Sequence, residues 1–308
     1  MEPNKRIYLL TGGLVPLLQN RHNIRDLSED TKKHLRTIEH AYFAETHLLL
    51  NGRSDYDKDA KEAFFWDVRF IPDEQIQREL KSLVKARKST RPLVSFDDVY
   101  CVDLPDAHYH VTRIINPDNI DEDPELGPRF HADPLEAQAE RIRKELGSEI
   151  DIMDIGTFAG DTIGGELKNR FANAGLKVKN VYLAFAGRKG LKTLGDMGLN
   201  IHPVHVHDWV DWLEIRDCLG FDGRKVANAK YGVKDPRYLF VRYSEKSEKW
   251  ASIPEGIKHK YEDLYKKYFA LIQTCLKGDG YTAKLEPFEE DSNVVYELTI
   301  KNNAQKQN

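Results

Sequence analysis

The stretch from Ile150 to Phe185 constrains the fold more tightly than any other part of this 308-residue chain. Ile150 to Met153 is a short apolar run that ends at Asp154, and Gly156 and Gly160 then mark a turn. Beyond it, Ile163, Leu167, Phe171 and Ala174 share one face at helical spacing, Gly175 stops the helix, and Val178 to Phe185 reads as a second strand. Two strands joined by one helix must run parallel, with a right-handed crossover that lays the helix on the sheet. The series extends both ways. Asp133 as N-cap, Pro134 at the first helical position and Glu136 closing a box-like cap begin a helix with Leu135, Ile142 and Leu146 on one side, ended by Gly147. A helix near Leu191 and a strand over Asn200 to Val206 follow. The pattern predicts a doubly wound, mainly parallel α/β sheet.

The flanks read differently. Residues 1–92 look mostly helical: Leu35, Ile38, Tyr42, Thr46 and Leu49 recur at spacings of three and four within Thr31 to Leu50, and Ile76, Leu80, Leu83 and Val84 do so within Pro72 to Lys88. Val99 to Val102 and Tyr109 to Ile115 are β-rich and separated by a turn at Pro105, which predicts paired strands. Asn116 to Arg129 carries several acids and prolines and is expected to be an exposed, mobile connection. Tyr261 to Leu276 predicts an aromatic-rich helix, and Tyr281 to Leu285 with Val294 to Ile300 a hairpin closed over Glu289 to Asn293. The expected organisation is a helix-rich N-terminal region (1–92), an α/β core (93–250) and a helix-plus-hairpin cap (251–308), which could also form one compact unit.

A net charge of -4 provides no overall positive field for nucleic acid or an anionic membrane, so an anionic metabolite must be captured by local groups. The apolar run Ile7 to Leu18 is broken by Gly12, Gly13 and Pro16, and reads neither as a signal peptide nor as a membrane span. Cys101, Cys218 and Cys275 are odd in number and far apart, which argues against a disulfide framework and fits a reducing cytoplasm. Each reads as a small buried hydrophobe. A homo-oligomer is left open.

In open α/β sheets ligands collect at the carboxyl ends of strands, where helix N-termini present free N–H groups and a positive dipole. Asp154-Ile155-Gly156-Thr157-Phe158-Ala159-Gly160-Asp161-Thr162 occupies such a place. The segment resembles the diphosphosugar-binding motif of type I phosphoribosyltransferases: a hydrophobic strand, one or two acids, and a Thr-Gly-x-Thr-like turn into a helix. Asp154 matches the first acid, and Gly160 and Thr162 the end of the turn; the resemblance spans residues 133 to 210. It implies a phosphoribosyltransferase-type sheet, with Asp154 on the ribose hydroxyls and Thr157, Phe158, Ala159, Gly160, Asp161 and Thr162 around the 5′-phosphate of phosphoribosyl diphosphate. It also implies Mg²⁺ carried on the diphosphate, assisting its departure through an oxocarbenium-like transition state while a nucleobase or other small nucleophile takes its place. The sequence departs from the motif at Ile155, where the second acid would stand, at Ala159, where a Thr or Ser would, and at Asp161, a negative charge beside the phosphate. These departures keep a second reading open, a non-catalytic nucleotide or sugar-phosphate sensor on the same fold. The plainest alternative is an ordinary turn capped by Thr157 or Asp161.

Other residues are secondary candidates. Strand alternation places His205 and His207 on one face, where they could contact substrate or bind Zn²⁺, or merely line an exposed strand end, and no metal site is assigned to them. Trp209, with Trp212, Arg216, Arg224 and Lys225, mixes aromatic faces and positive charge and could meet an acceptor ring or simply pack. Arg129 could reach a diphosphate. Asp154-Ile155-Gly156-Thr157 also looks like the phosphate hairpin of sugar kinases, but a helix follows where that motif needs a strand. Gly187-Arg188-Lys189-Gly190 is not a P-loop.

Overall fold

The computed structural model describes residues 4–58, 61–116, 119, 122, 124–130, 132–214, 219, 221, 224–226, 238–242, 253–288 and 295–303. In chain order the N-terminal part contains β1 (Lys5–Thr11), α1 (Leu14–Asn20), α2 (Glu29–Leu50), β2 (Ser54–Asp57), β3 (Glu62–Ile71) and α3 (Asp73–Lys85). Next come β4 (Leu93–Ser95), β5 (Ala107–His108), β6 (Val111–Ile115), β7 (Glu125–Pro128), α4 (Leu135–Leu146) and β8 (Glu149–Thr157). Then follow α5 (Asp161–Glu166), continued by a π-helical stretch (Leu167–Phe171), β9 (Lys177–Gly187), α6 (Arg188–Gly195), β10 (Asn200–His207) and β11 (Trp209–Glu214). The chain closes with β12 (Arg224–Val226), β13 (Tyr238–Val241), α7 (Lys258–Gly278), β14 (Tyr281–Pro287) and β15 (Val295–Asn302).

The fold is mixed α/β with parallel sheets. The central sheet has the order β10-β9-β8-β4-β5, and every pair in it is parallel. Successive residues of β8 point to opposite faces. Ile150 and Ile152 pack with Leu135, Ala139 and Ile142 of α4 and with Ile163 and Phe171 of the following helix. Met153, on the other face, packs with Leu80 and Val84 of α3. The sheet is therefore covered by helices on both sides, and β8 and β9 need the nearly unbroken apolar runs that their sequences contain.

A second sheet, β11-β1-β3-β2, has β1 parallel to both its neighbours. The third, β14-β15-β13-β12-β6-β7, is largely antiparallel. Residues 1–92 thus hold the two expected helices, as α2 and α3, together with the short α1 and three strands that helical periodicity does not announce. In β3 the alternation of buried Phe64, Trp66 and Val68 is a clear strand signal. The sheets also interleave the three expected regions, since β11 pairs with β1 and the β6–β7 hairpin joins the C-terminal strands through β12.

Several local expectations shift. Val99 to Val102 is a turn rather than a strand, because the Asp97 carboxylate accepts the amides of Val99 and Tyr100, each at 2.7 Å, and bends the chain. The connection expected over Asn116 to Arg129 contains β7, paired with β6. The helix expected to be capped by Asp133 starts at Leu135 with Pro134 in the cap position, and the Asp133 carboxylate pairs with Arg141 instead. The helix α2 is conventional: Ser28 caps it by accepting the Thr31 amide, and Leu35, Tyr42 and Leu50 are buried. Its Tyr42 meets Tyr268 of α7 edge to face at 5.4 Å. The C-terminal helix and hairpin form where expected, while Glu289 to Val294 lies outside the described residues. Among the described residues no helix is long and apolar enough to cross a membrane.

Candidate functional site

Strand order fixes where a site can open. From β4 the chain goes to one side of the central sheet, to β5, and later to the other side through β8, β9 and β10. The connections leaving β4 and β8 therefore diverge, and the switch point between their carboxyl ends is the usual ligand position in such sheets. Register brings the two connections together. Ser95 is paired with Met153, and the Phe96 amide donates to the Met153 carbonyl at 2.9 Å. Asp97 and Asp98 thus leave β4 beside Asp154 of β8.

The turn after β8 leaves several amides without an acceptor among the described residues, although Ala159 and Gly160 are themselves buried. Gly160 adopts φ 87°, a left-handed conformation that glycine tolerates best, and a Cβ there would come within 3.1 Å of Thr193. The Phe158 carbonyl accepts the Gly190 amide at 3.0 Å, and the Gly160 carbonyl accepts the Gly164 amide at 2.8 Å. Gly160 itself is the N-cap residue, and no side chain caps the helix. Neither Thr157, which is buried, nor Asp161, which is exposed, acts as the cap of an ordinary turn. The amides of Ala159, Gly160, Asp161 and Thr162 have no acceptor among the described residues. A helix start with unsatisfied N–H groups carries partial positive charge and attracts an anion.

Asp154 lies on β8, three residues before the strand ends at Thr157. Burial, reinforced by the negative charge of Asp97, pushes its carboxyl up to about 8; Glu214 adds to the effect, while the amide of Ile155 and the charge of Arg129 oppose it. Arg129 does belong here. It is held by β7 and by its own amide donating to the His110 carbonyl at 2.8 Å, so it stands on a paired element rather than a mobile loop. Its Nη2 reaches the Phe96 carbonyl at 3.2 Å, Nε lies 3.6 Å from Asp98, and that buried Nε makes no hydrogen bond among the described residues. Burial acts to raise the Asp98 carboxyl, yet the charges of Arg129 and Arg21 and the contact with His110 hold it well below the usual range.

The second sheet supplies the far wall. Glu214 ends β11 in register with Thr11, and the Trp212 indole donates to the Thr11 hydroxyl at 3.1 Å. A Cβ on Gly156 would stand 3.3 Å from the Trp212 ring, so glycine lets the two sheets approach there. The Tyr100 hydroxyl, from the loop after β4, donates to the Gly12 carbonyl at the end of β1. Ile155 is 4% exposed and belongs to the core shared with that second sheet, which explains why this position carries no acid.

The remaining candidates lie apart. His205 and His207 sit on the edge strand β10 with near-parallel rings 5.9 Å apart, and His205 is engaged by Glu79 of α3 at 2.7 Å. Burial and the neighbouring His205 lower the His207 pKa, which favours its neutral form. Trp209 takes part in β11 through its backbone, and its side chain lies outside the described residues.

Among the described residues no group of three or more His, Cys, Asp or Glu side chains is placed to hold a metal ion. Asp97 and Asp154 are nonetheless oxygen donors, the kind that suits Mg²⁺ resting mainly on substrate phosphates. No protein-family model matches the chain, and no curated protein matches it. What the residues bring together is a turn whose amides have no acceptor among the described residues, a carboxyl that holds its proton near neutral pH, and a fixed guanidinium. Asp97, Asp98 and Glu214 were not singled out from sequence, although an acid pair closing the run Leu93 to Phe96 is the same signal that marks Asp154.

Proposed function

We propose that the chain binds phosphoribosyl diphosphate at the β4–β8 crevice and transfers its phosphoribosyl group to a nucleobase or another small nucleophile, on a sheet of the phosphoribosyltransferase type. One observation carries the reading: the uncapped amides of Ala159 to Thr162, beside Asp154, lie where the strand order opens the sheet. In this reading the turn takes the 5′-phosphate, and Gly160 lets the backbone approach it closely. Asp154 takes the ribose hydroxyls, with Asp97 from the neighbouring strand as the nearby second carboxyl that position 155 lacks. Arg129 faces the diphosphate, whose charge it is suited to hold. Mg²⁺, when bound, would supply charge neutralisation on the departing diphosphate. The test is calorimetric titration with phosphoribosyl diphosphate and Mg²⁺. Binding is expected, with a loss of about tenfold or more in Asp154→Asn; absence of both effects removes the proposal.

The sensor reading draws on a specific observation too. Asp161 is exposed in the first turn beside the open amides, where its charge opposes a phosphate, and Ile155 is committed to the core. A sensor would bind the ligand yet release no diphosphate with any acceptor offered, so diphosphate release separates the two.

A further inference from the structure

A polar cleft of about 790 Å³, lined in part by Asp98, lies between the end of α1 with the loop after it, the β5–β6 connection, and α4 with the residues leading into it. Its walls carry Arg21, Arg25, Arg141, His108, His110 and Phe130, against two acids, Asp98 and Asp133. The acids are already answered. Arg21 donates to Asp98 through Nε at 3.2 Å and through Nη2, His110 and Arg129 stand behind it, and Arg141 pairs with Asp133. The Arg25 guanidinium has no ion-pair partner among the described residues and is exposed on the rim. Among the described residues the cleft lining therefore carries more positive than negative charge, and its polar groups favour a ligand that can answer them.

Volume and shape narrow the ligand. A few hundred to about 1,000 Å³ suits a nucleotide-sized molecule and is far more than a bare inorganic anion needs. Flat surfaces are present. The His108 and His110 rings are nearly parallel, with centroids 5.7 Å apart, and the Phe130 ring is fixed by an edge contact to Tyr238 at 5.1 Å. Main-chain contacts hold this wall still: the His108 ring nitrogens lie against the carbonyls of Asp97 at 3.2 Å and Val102 at 3.4 Å.

We propose that this cleft is a second ligand site, which binds a small planar ring bearing one anionic group, a phosphate or a carboxylate, with Arg25 and Arg141 on the anion and the ring against Phe130 or the imidazoles. The site does not depend on the sugar-phosphate reading of the turn, since neither Asp154 nor residues 157–162 line it.

The test titrates the full chain at low salt with adenosine 5′-monophosphate, adenosine and benzoate. At least one of the two anions is expected to bind, with adenosine about tenfold weaker or silent; which anion binds says whether phosphate or carboxylate is preferred. The double variant Arg25→Ala/Arg141→Ala, both positions exposed, is expected to lose about tenfold or more, while Asp154→Asn and Gly160→Ala leave the affinity unchanged. Failure of both anions to bind overturns the proposal, as does binding that survives the double variant in a chain with unchanged circular dichroism. Loss of binding in Asp154→Asn instead would assign the ligand to the turn and likewise overturn it. Failure of the turn to bind phosphoribosyl diphosphate would leave this result untouched.

Discussion

Replacing Asp154 by Asn should change how stability depends on pH before any ligand is added. The carboxyl is pushed up from 3.8 to about 8 in the folded chain, by burial first and by Asp97 second. Between those two values the folded state holds a proton that the unfolded state has released, so this group's contribution is fully present below pH 4 and is lost as pH rises through 8. Each pH unit of displacement is worth about 1.4 kcal/mol, which sets a ceiling of about 6 kcal/mol for the whole window. Because the side chain is only partly covered from solvent, about 3 kcal/mol is the expected size. Asn is neutral throughout and loses nothing over the window. The variant should therefore gain about 3 kcal/mol on the wild type between pH 4.5 and pH 9.5. Urea denaturation of both proteins at several pH values reads this directly. A difference between them that does not vary with pH would refute the account of Asp154 as a carboxyl that keeps its proton, and with it the electrostatics of the crevice.

Three further outcomes are expected. Gly160→Ala forces a left-handed φ on a residue with a Cβ that meets Thr193, and should cost about 1–2 kcal/mol in urea denaturation while weakening phosphoribosyl diphosphate binding. Glu39 is 1% exposed, accepts the amides of Gly13 and Leu14 at 2.7 Å each, and is pushed up to about 8 by burial and by Asp73. Glu39→Gln keeps an acceptor and should become more stable than the wild type above pH 9, whereas Glu39→Ala should lose about 2–4 kcal/mol at pH 6, both read by urea denaturation. His205→Ala removes a ring held by Glu79 on the edge strand and should change affinity for phosphoribosyl diphosphate by less than about twofold in calorimetry.

What sequence could reveal here is what neighbouring residues decide among themselves. The run Ile150 to Met153, the turn glycines and the helical spacing from Ile163 to Ala174 are local patterns, and the strand-helix-strand unit built on them forms where they place it. The helix α2 is legible for the same reason. The strand β3 was also legible, since Phe64, Trp66 and Val68 alternate, but the strong helical stripes on either side of it drew the whole region toward helix. Long-range pairing is another matter. That Asp97 stands beside Asp154 depends on β4 choosing β8 as its partner, and that Glu214 joins them depends on β11 choosing β1. No spacing within either segment encodes such a choice.

Long-range packing also decides the residue at position 155. An acid one residue after the first requires a strand whose neighbouring position faces open space, and here Ile155 belongs to the core shared with the second, mixed sheet. The charge beside Asp154 comes instead from across the strand pair, as Asp97, and it adds to the burial that raises the Asp154 pKa, where a salt bridge would have lowered it. A protonated Asp154 can donate one hydrogen bond as well as accept others, and it does not repel a phosphate. An incoming polyanion on the open amides would favour that neutral form further. Ligand affinity should then decline as pH rises through 8, in the same interval in which the empty protein loses stability. If the turn takes a phosphate as proposed, the site needs no second acid at position 155, and its pH dependence comes first from the burial of Asp154 and then from Asp97, which the pairing of β4 with β8 brings beside it.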